Sequence, residues 1–468
     1  MRKTKIVCTI GPVTDSEEKI SELIEAGCDI VRINMSHARH EWVHKMVESI
    51  RKIAVEKKRV VGILLDTQGP AIRTGDLINP LNLKIGNIVE FTVHGSRSKV
   101  AYSVNVNYNG LVEDVSVGSV LFVDNGVIRM KVLTKEENRI HCEVLTPGIL
   151  RSRKHINLPG IRVNIPPLTE KDLLDIKLGI KLGVDFVALS FCREATDIQA
   201  LRNILREHGS LAAIIAKIED QHGVNVIDEI IHEADAVMLA RGDLGIECPM
   251  EELPIIQQFV TRRCLQTGKP VIVATHMLES MTTYPLPTRA EVTDVAHAIF
   301  EQVDAIMLSG ETSIGQYPIE CVRTFDQIAR RIEKSNNTLS PDKRSVLVDT
   351  KQKMVESAAG LANSLPNAKL VIFTRTGTTA HYVSRLRLTG VAVFAFSPNV
   401  AVVRQLMLNW NIFPIHMLFE TSPDHTVTHA EALLRKRRLT KKGDQLVIMS
   451  DLLREETTVH SIQLRIVS

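Results

Sequence analysis

The sequence predicts an α/β fold: a closed (β/α)8 TIM barrel interrupted after its third strand by a small all-β domain, then a C-terminal α/β domain. Three observations predict it. Eight short apolar runs, branched and nearly continuous, recur along the chain, as parallel strands covered on both faces require. Amphipathic stretches separate most of them and open on Ser or Thr followed by acids, the preferred start of a helix. The rhythm breaks after the third run, where apolar and polar residues alternate between turns. A doubly wound open sheet is the rival to the barrel.

The runs are "KIVCTIGP" (5–12), "DIVRINMSH" (29–37), "VVGILLDTQGP" (60–70), "DFVALSF" (185–191), "AAIIAKIE" (212–219), "DAVMLARGD" (235–243), "PVIVATHM" (270–277) and "DAIMLSGET" (304–312). "SEEKISELIEAG" (16–27) and "TEKDLLDIKLGIKLG" (169–183) are the clearest intervening helices. Residues 1–69 and 167–330 are assigned to the barrel. The alternating region, 70–166, is assigned to an inserted β-barrel domain. It hangs from a βα loop, on the face where such barrels keep their active sites, and so reads as a lid. "SNNTLSPDKRS" (335–345) is a polar linker, and 331–468 form a separate α/β unit.

Composition excludes several classes. With 44% hydrophobic and 24% charged residues and a formal charge of +3, nothing argues for broad binding of nucleic acid or membrane. Seven scattered cysteines without a CxxC pair suit free thiols in a reducing compartment. The N-terminal apolar run is too short for a signal peptide, and no stretch is long enough to span a membrane. The expectation is a cytoplasmic protein.

In a barrel the residues at strand C-termini line one rim. That rim would hold Arg32, Asn34, Ser36, Asp66, Thr67, Ser190, Arg193, Lys217, Glu219, Arg241, Gly242, Asp243, Thr275, His276, Ser309, Gly310 and Glu311. Lys217 and Glu219, two apart on a strand, project to the same side. Buried charges are expensive unless paired or liganded, which makes structural ion pairs a poor account of the whole ring. The mixture suggests phosphate plus a hard metal. Glu219 and Asp243 could share one Mg²⁺, and Arg32, Arg73 and Lys217 could clamp phosphoryl oxygens. The alternative is that each carboxylate pairs with its neighbour, Glu219 with Lys217 and Asp243 with Arg241.

"RKTKIVCTIGP", "RINMSH", "DTQGPAIRTG", "INLPG", "LTEKD", "KIEDQHG", "ARGDLGIE", "ATHMLESM", "PTRAEVTDVA" and "MLSGETSIGQYP" resemble the pyruvate kinase family in content and order, from residue 3 to about 325. The resemblance, to the bacterial type without an N-terminal extension, implies glycolytic transfer of the phosphoryl group of phosphoenolpyruvate to ADP, giving pyruvate and ATP. It implies an allosteric homotetramer with an effector-binding C-terminal domain. By motif, Glu219 and Asp243 would ligate Mg²⁺ or Mn²⁺. Lys217 would neutralise the phosphoryl group in flight, and Arg32 would contact the substrate phosphate. Gly242, Asp243 and Thr275 match substrate positions, with Thr275 placed to help protonate the enolate. Arg73 and Lys154 match nucleotide contacts; Asn34, Ser36, Asp66 and Thr67 match K⁺ ligands.

The chain departs from the commonest family pattern at Gln68, Ala71, Asn125 and His276. Ala71, where Glu or Lys is usual, bears on the K⁺ requirement. In the tail, "RTGTTAH" follows an apolar run and precedes a helical one. Backbone N–H groups at such a helix start favour an anion, and Thr374, Arg375, Thr376, Gly377, Thr378 and Thr379 would surround it. A phosphorylated effector, a sugar monophosphate or AMP rather than a bisphosphate, is expected there; a plain capped helix is the alternative. Two further classes are weighed for the whole chain: a metal-dependent barrel lyase acting on pyruvate-like keto acids, and a non-enzymatic sensor. The sensor predicts losses among Lys217, Glu219 and Asp243, and all three are present.

Overall fold

The computed structural model describes residues 1–95, 100, 102–335, 349–454 and 457–467. Eight parallel strands close into a barrel in sequential order: Lys5–Thr9, Ile30–Asn34, Gly62–Asp66, Phe186–Leu189, Ala213–Ile218, Ala236–Ala240, Val271–Ala274 and Ala305–Leu308. The open-sheet rival is thereby excluded. Each strand falls inside its predicted run, shorter because the flanking polar residues turn the chain into loops.

Side-chain alternation sets what each strand contributes. Val7, Ile30, Leu64, Ala188, Ile215, Met238, Ile272 and Met307 pack together inside the barrel. Their neighbours Ile6, Val31, Leu65, Leu189, Ile214, Ala216 and Ile218 face outward, against the helices. Two residues on from the interior layer, the same inward direction carries Arg32, Asp66, Ser190 and Lys217 to the upper rim. The helices form as their caps dictate. Ser16 accepts the Lys19 N–H at 3.2 Å to start Glu17–Ala26, which buries Ile20, Leu23 and Ile24.

Thr169 and Asp172 make a capping box that starts Glu170–Leu182. Asp172 does more: its Oδ1 accepts the N–H groups of Gln68 (3.0 Å) and Gly69 (3.1 Å), where the chain leaves the barrel after the third strand.

The insert differs from a β-barrel. It is a six-stranded mixed sheet, including a parallel pairing of Ile88–Thr92 with Ser103–Asn105, beside a separate two-stranded pairing of Leu81–Leu83 with Gly148–Leu150. It also contains a one-turn helix, Leu111–Asp114, between two of its strands. Its own core includes Val89, Phe91, Leu121, Met130, Ile140 and Val144. Alternation alone does not say which strands pair, and so does not distinguish a barrel from an open sheet.

The C-terminal unit is a five-stranded sheet in the order Ile412–His416, Ala392–Ser397, Ala368–Phe373, Gln445–Arg454 and Thr457–Ile466, the last antiparallel. It joins the lower end of the barrel, where Met407 and Leu408 pack against the interior layer. There Arg387 forms a buried two-point pair with Asp304, at 2.8 and 2.6 Å. The predicted linker lies, after Ser335, outside the described residues. Among those residues no helix is long and apolar enough to cross a membrane. All seven cysteines are buried and free.

Candidate active site

The rim cluster is built on Asp66, fully buried at the end of the third strand. Its Oδ2 accepts from Arg32 Nε at 2.6 Å, and its Oδ1 faces Lys217 Nζ at 3.2 Å. Burial alone would raise the Asp66 carboxyl, but Lys217 and Arg32 outweigh it and hold it below the ordinary aspartate value. Lys217 Nζ also meets Glu219 Oε1 and donates to Ser190 Oγ, each at 2.8 Å. Burial works to strip its proton, yet Asp66 and Glu219 prevail and raise its pKa, so the ammonium persists.

Glu219 is held by a 2.6 Å hydrogen bond from the Phe191 N–H. It stands above the ordinary glutamate value, first because it is buried; Lys217 opposes the rise and Asp243 adds to it. Lys217 and Glu219 are both raised, although a simple pair would raise the base and lower the acid. Burial, the larger influence on Glu219, outweighs the pull of Lys217, and Asp243 adds to the rise.

Asp243 reaches the same cavity from the first turn of a short helix, Arg241–Glu247, that follows the sixth strand. The cavity, about 440 Å³, is lined by Arg32, Asn34, Ser36, Thr67, Arg73, Lys154, Lys217, Glu219 and Asp243, among others. Arg73 and Lys154 come from the insert, and Lys154 is held at 2.8 Å from Asp124. Asn125 and Asp243 also line a second cavity, of about 1130 Å³, which contains Gly242, Thr275 and His276. The Gly242 N–H donates to Thr275 Oγ1 at 2.6 Å. Thr275 itself is left-handed, with φ +69°, a costly conformation for a β-branched residue.

Other predicted rim residues have structural work. Arg241 forks onto Asp294 at 2.6 and 2.7 Å and reaches the Thr275 carbonyl at 3.0 Å, so the suggested Asp243–Arg241 pair does not form. Arg193 donates to the Val163 and Ile165 carbonyls where the insert returns. Glu311 accepts the N–H groups of Leu278 and Ser309. Sequence alone assigns Ser190 no role beyond its place on the rim, yet its hydroxyl meets Lys217, Asp66 (3.2 Å) and the Thr67 carbonyl (2.7 Å). His155, in the cavity wall and edge-on to Phe191, is pushed down to about 4 by burial and stays neutral.

Among the described residues no group of three or more His, Cys, Asp or Glu side chains is arranged to hold a metal. Two carboxylates lining one cavity, Glu219 and Asp243, suit Mg²⁺, which takes one or two protein carboxylates and fills the rest of its shell with substrate and water.

The sequence and the split-barrel fold recur in known proteins. The family models "Pyruvate kinase, barrel domain" and "Pyruvate kinase, alpha/beta domain" match residues 1–322 and 352–462. The chain belongs to the pyruvate kinase family. Pyruvate kinase of Sporosarcina psychrophila is 42% identical over 458 residues, spanning 96% of this chain and 77% of that protein. Pyruvate kinase isozyme G, chloroplastic, of Nicotiana tabacum is 39% identical over 99% of this chain and 83% of its own. The crystal structure of a pyruvate kinase from Cryptosporidium parvum superposes with a TM-score of 0.91 at 33% identity, covering 99% of this chain and 96% of that one. The activity is therefore that of a glycolytic pyruvate kinase, a phosphotransferase acting on phosphoenolpyruvate and ADP, and the barrel lyase and the sensor are set aside.

The predicted effector loop divides. Thr374, Arg375 and Thr376 line a cavity of about 270 Å³ with Lys351, Phe419 and Glu420 among its other walls. Gly377, Thr378 and Thr379 are not in its lining. Gly377, at φ +90°, caps the helix Thr378–Arg385, and its N–H donates to Thr374 Oγ1 at 2.9 Å. Thr376 and Thr378 share a 2.9 Å hydroxyl contact.

Proposed function

We propose that the pyruvate kinase reaction runs in the rim cavity, with Glu219 and Asp243 holding Mg²⁺ or Mn²⁺. Bound there, the cation would offset charge on the phosphoryl oxygens and on the two carboxylates. Arg32 and Lys217 grip the phosphoryl group. Lys217 is the residue that carries the reading: an ammonium kept charged in a buried position, aimed at the cavity between two carboxylates. Positioned charge of this kind favours a transition state in which charge spreads over transferring oxygens.

Arg73 and Lys154, borne by the insert and lining the same cavity, contact the nucleotide, so that lid position governs access of ADP. The phosphorus–oxygen bond to the enolate breaks as the ADP oxygen bonds to phosphorus. The enolate carbon then gains a proton on the side of Thr275, where Gly242 and Asp243 hold the carboxylate end of the substrate. Asn34, Ser36, Asp66 and Thr67 offer K⁺ its oxygens, three of them in the cavity lining. The domain division at 69/70, 166/167 and 330/331, a cytoplasmic homotetramer, and activation by a phosphorylated metabolite at Thr374–Thr379 complete the reading.

Steady-state turnover of the purified protein tests it. Pyruvate release from phosphoenolpyruvate is expected to require both ADP and Mg²⁺, with ATP formed in equal amount. Pyruvate released at the same rate without ADP would overturn it.

A further inference from the structure

A cavity of about 540 Å³ opens where the lower end of the barrel meets the C-terminal sheet, far along the barrel axis from the rim. Its size lies in the range of small-molecule sites. Four cations line it, Arg202, Arg206, Lys269 and Arg385, against the single carboxylate of Asp235. Asp235 is already taken by Arg202, at 3.2 Å, and Lys269 leans on the Ala234 carbonyl at 2.6 Å. Arg206 and Arg385 have no ion-pair partner among the described residues. The Arg385 Nε is buried without an acceptor, and burial lowers the pKa of that guanidinium. The half-buried Arg385 carries the cost of a desolvated cation that an anion would relieve, and the exposed Arg206 lines the same cavity with its charge uncommitted.

A second observation points to the ligand's other end. Asn409 is 1% exposed and lines the same cavity. Its amide nitrogen lies 2.9 Å from His381 Nδ1, which leaves its carbonyl oxygen buried with no donor. His381 supplies no positive charge there, because burial depresses its pKa below the ordinary histidine value. The floor is apolar, formed by Phe186, Leu205 and Leu408.

We propose that this interdomain cavity binds a phosphomonoester of a hydroxylated carbon skeleton, with the phosphate between Arg206 and Arg385 and a ligand hydroxyl on Asn409. Thr376 lines both this cavity and the separate one at 374–376, so an occupant would lie against the head of the helix Thr378–Arg385. The site is distinct from the effector loop proposed above and stands without it.

Trp410 adjoins Asn409, is 2% exposed, and is one of only two tryptophans, the other being Trp42. In full-length protein carrying Trp42→Phe, its emission is a local reporter. Glycerol 3-phosphate is expected to change that emission saturably, inorganic phosphate more weakly, and glycerol not at all. Arg206→Ala with Arg385→Ala should raise the half-saturating concentration at least tenfold, and Arg206→Glu alone, a change at an exposed position that leaves the core intact, should raise it too. Arg375→Ala, which touches only the effector loop cavity, should leave it unchanged. No saturable response in the Trp42→Phe parent, or equal half-saturation in the parent and in both Arg206 variants, would overturn the site. A response abolished in Arg375→Ala alone would also overturn it, by assigning the response to the loop.

Discussion

The barrel rim and the loop at 374–379 are both read as meeting phosphate, and they are built in opposite ways. At the rim, Lys217 and Arg32 are 8% and 9% exposed and already fixed to Asp66. Their charge is oriented before any ligand arrives, so little reorganisation remains for the reaction itself. In the loop, Arg375, Thr376 and Thr378 are not held this way: the two hydroxyls satisfy each other, and Arg375 rests over Phe419 at 5.3 Å. A ligand there must displace water and existing contacts, which suits reversible occupancy.

The sharpest way to break this contrast is Lys217→Met. Phosphoryl transfer should slow by about 10²–10³ or more, with the Mg²⁺ activation midpoint little changed. Near wild-type turnover in purified variant would mean that the cage of charges at the rim is structural only. Next in size, Glu219→Gln and Asp243→Asn should each raise the Mg²⁺ concentration for half-maximal activity by about tenfold, the scale on which one charge-assisted interaction stabilises a bound ion. Superimposable activation curves would remove both residues from the metal site.

A carboxylate just outside the cage sharpens the comparison through pH. Glu247 accepts from Asn157 Nδ2 of the insert at 2.8 Å, and burial raises its pKa to about 7. Folded Glu247 keeps its proton to higher pH than the unfolded chain does. Stability therefore falls as pH rises from about 4.5 to about 7. Glu247→Gln keeps the acceptor and removes the titration. Its unfolding free energy should exceed wild type by a margin that grows across that window, of the order of 1 kcal/mol by neutral pH. A constant margin from pH 4 to 8 would refute the shift.

Smaller effects follow at the cage edge and in the loop. K⁺ should activate several-fold over a bulky tetraalkylammonium salt, despite Ala71, because Asn34, Ser36 and Thr67 still present oxygens to the cavity. Equal rates in the two salts would argue against a monovalent site. Smallest of all, a sugar monophosphate or AMP should shift the phosphoenolpyruvate saturation curve a few-fold to lower concentration. Thr376→Ala with Thr379→Ala should abolish that shift and keep the unactivated rate. A wild type indifferent to every phosphorylated metabolite tried would leave the loop as a capped helix.

The inward placement of Arg32, Asp66, Lys217 and Glu219 was legible in sequence, because period-two alternation in an apolar run fixes direction once the barrel is accepted. Asp243 was legible as a residue just past a strand end. What alternation cannot carry is the identity of a partner distant in sequence. Arg241 finds Asp294, Arg193 finds two carbonyls of the returning insert, and Ser190 joins Asp66 to Lys217 only because three strands converge. The same limit hid the six-stranded pairing of the insert. It also hid the interdomain cavity, whose walls are drawn from separate stretches of chain between Phe186 and Asn409.

Asp172 has one further consequence. Its carboxylate receives the amides of Gln68 and Gly69 on one oxygen and caps its own helix at Thr169 with the other. The point where the chain departs on its long excursion and the point where it comes back are thus riveted to a single side chain. To the barrel, everything between is a detour that begins and ends at one address. Glu247 and Arg193 hold the insert to the barrel at further points, so a transplanted lid would have to keep those partners as well as this joint.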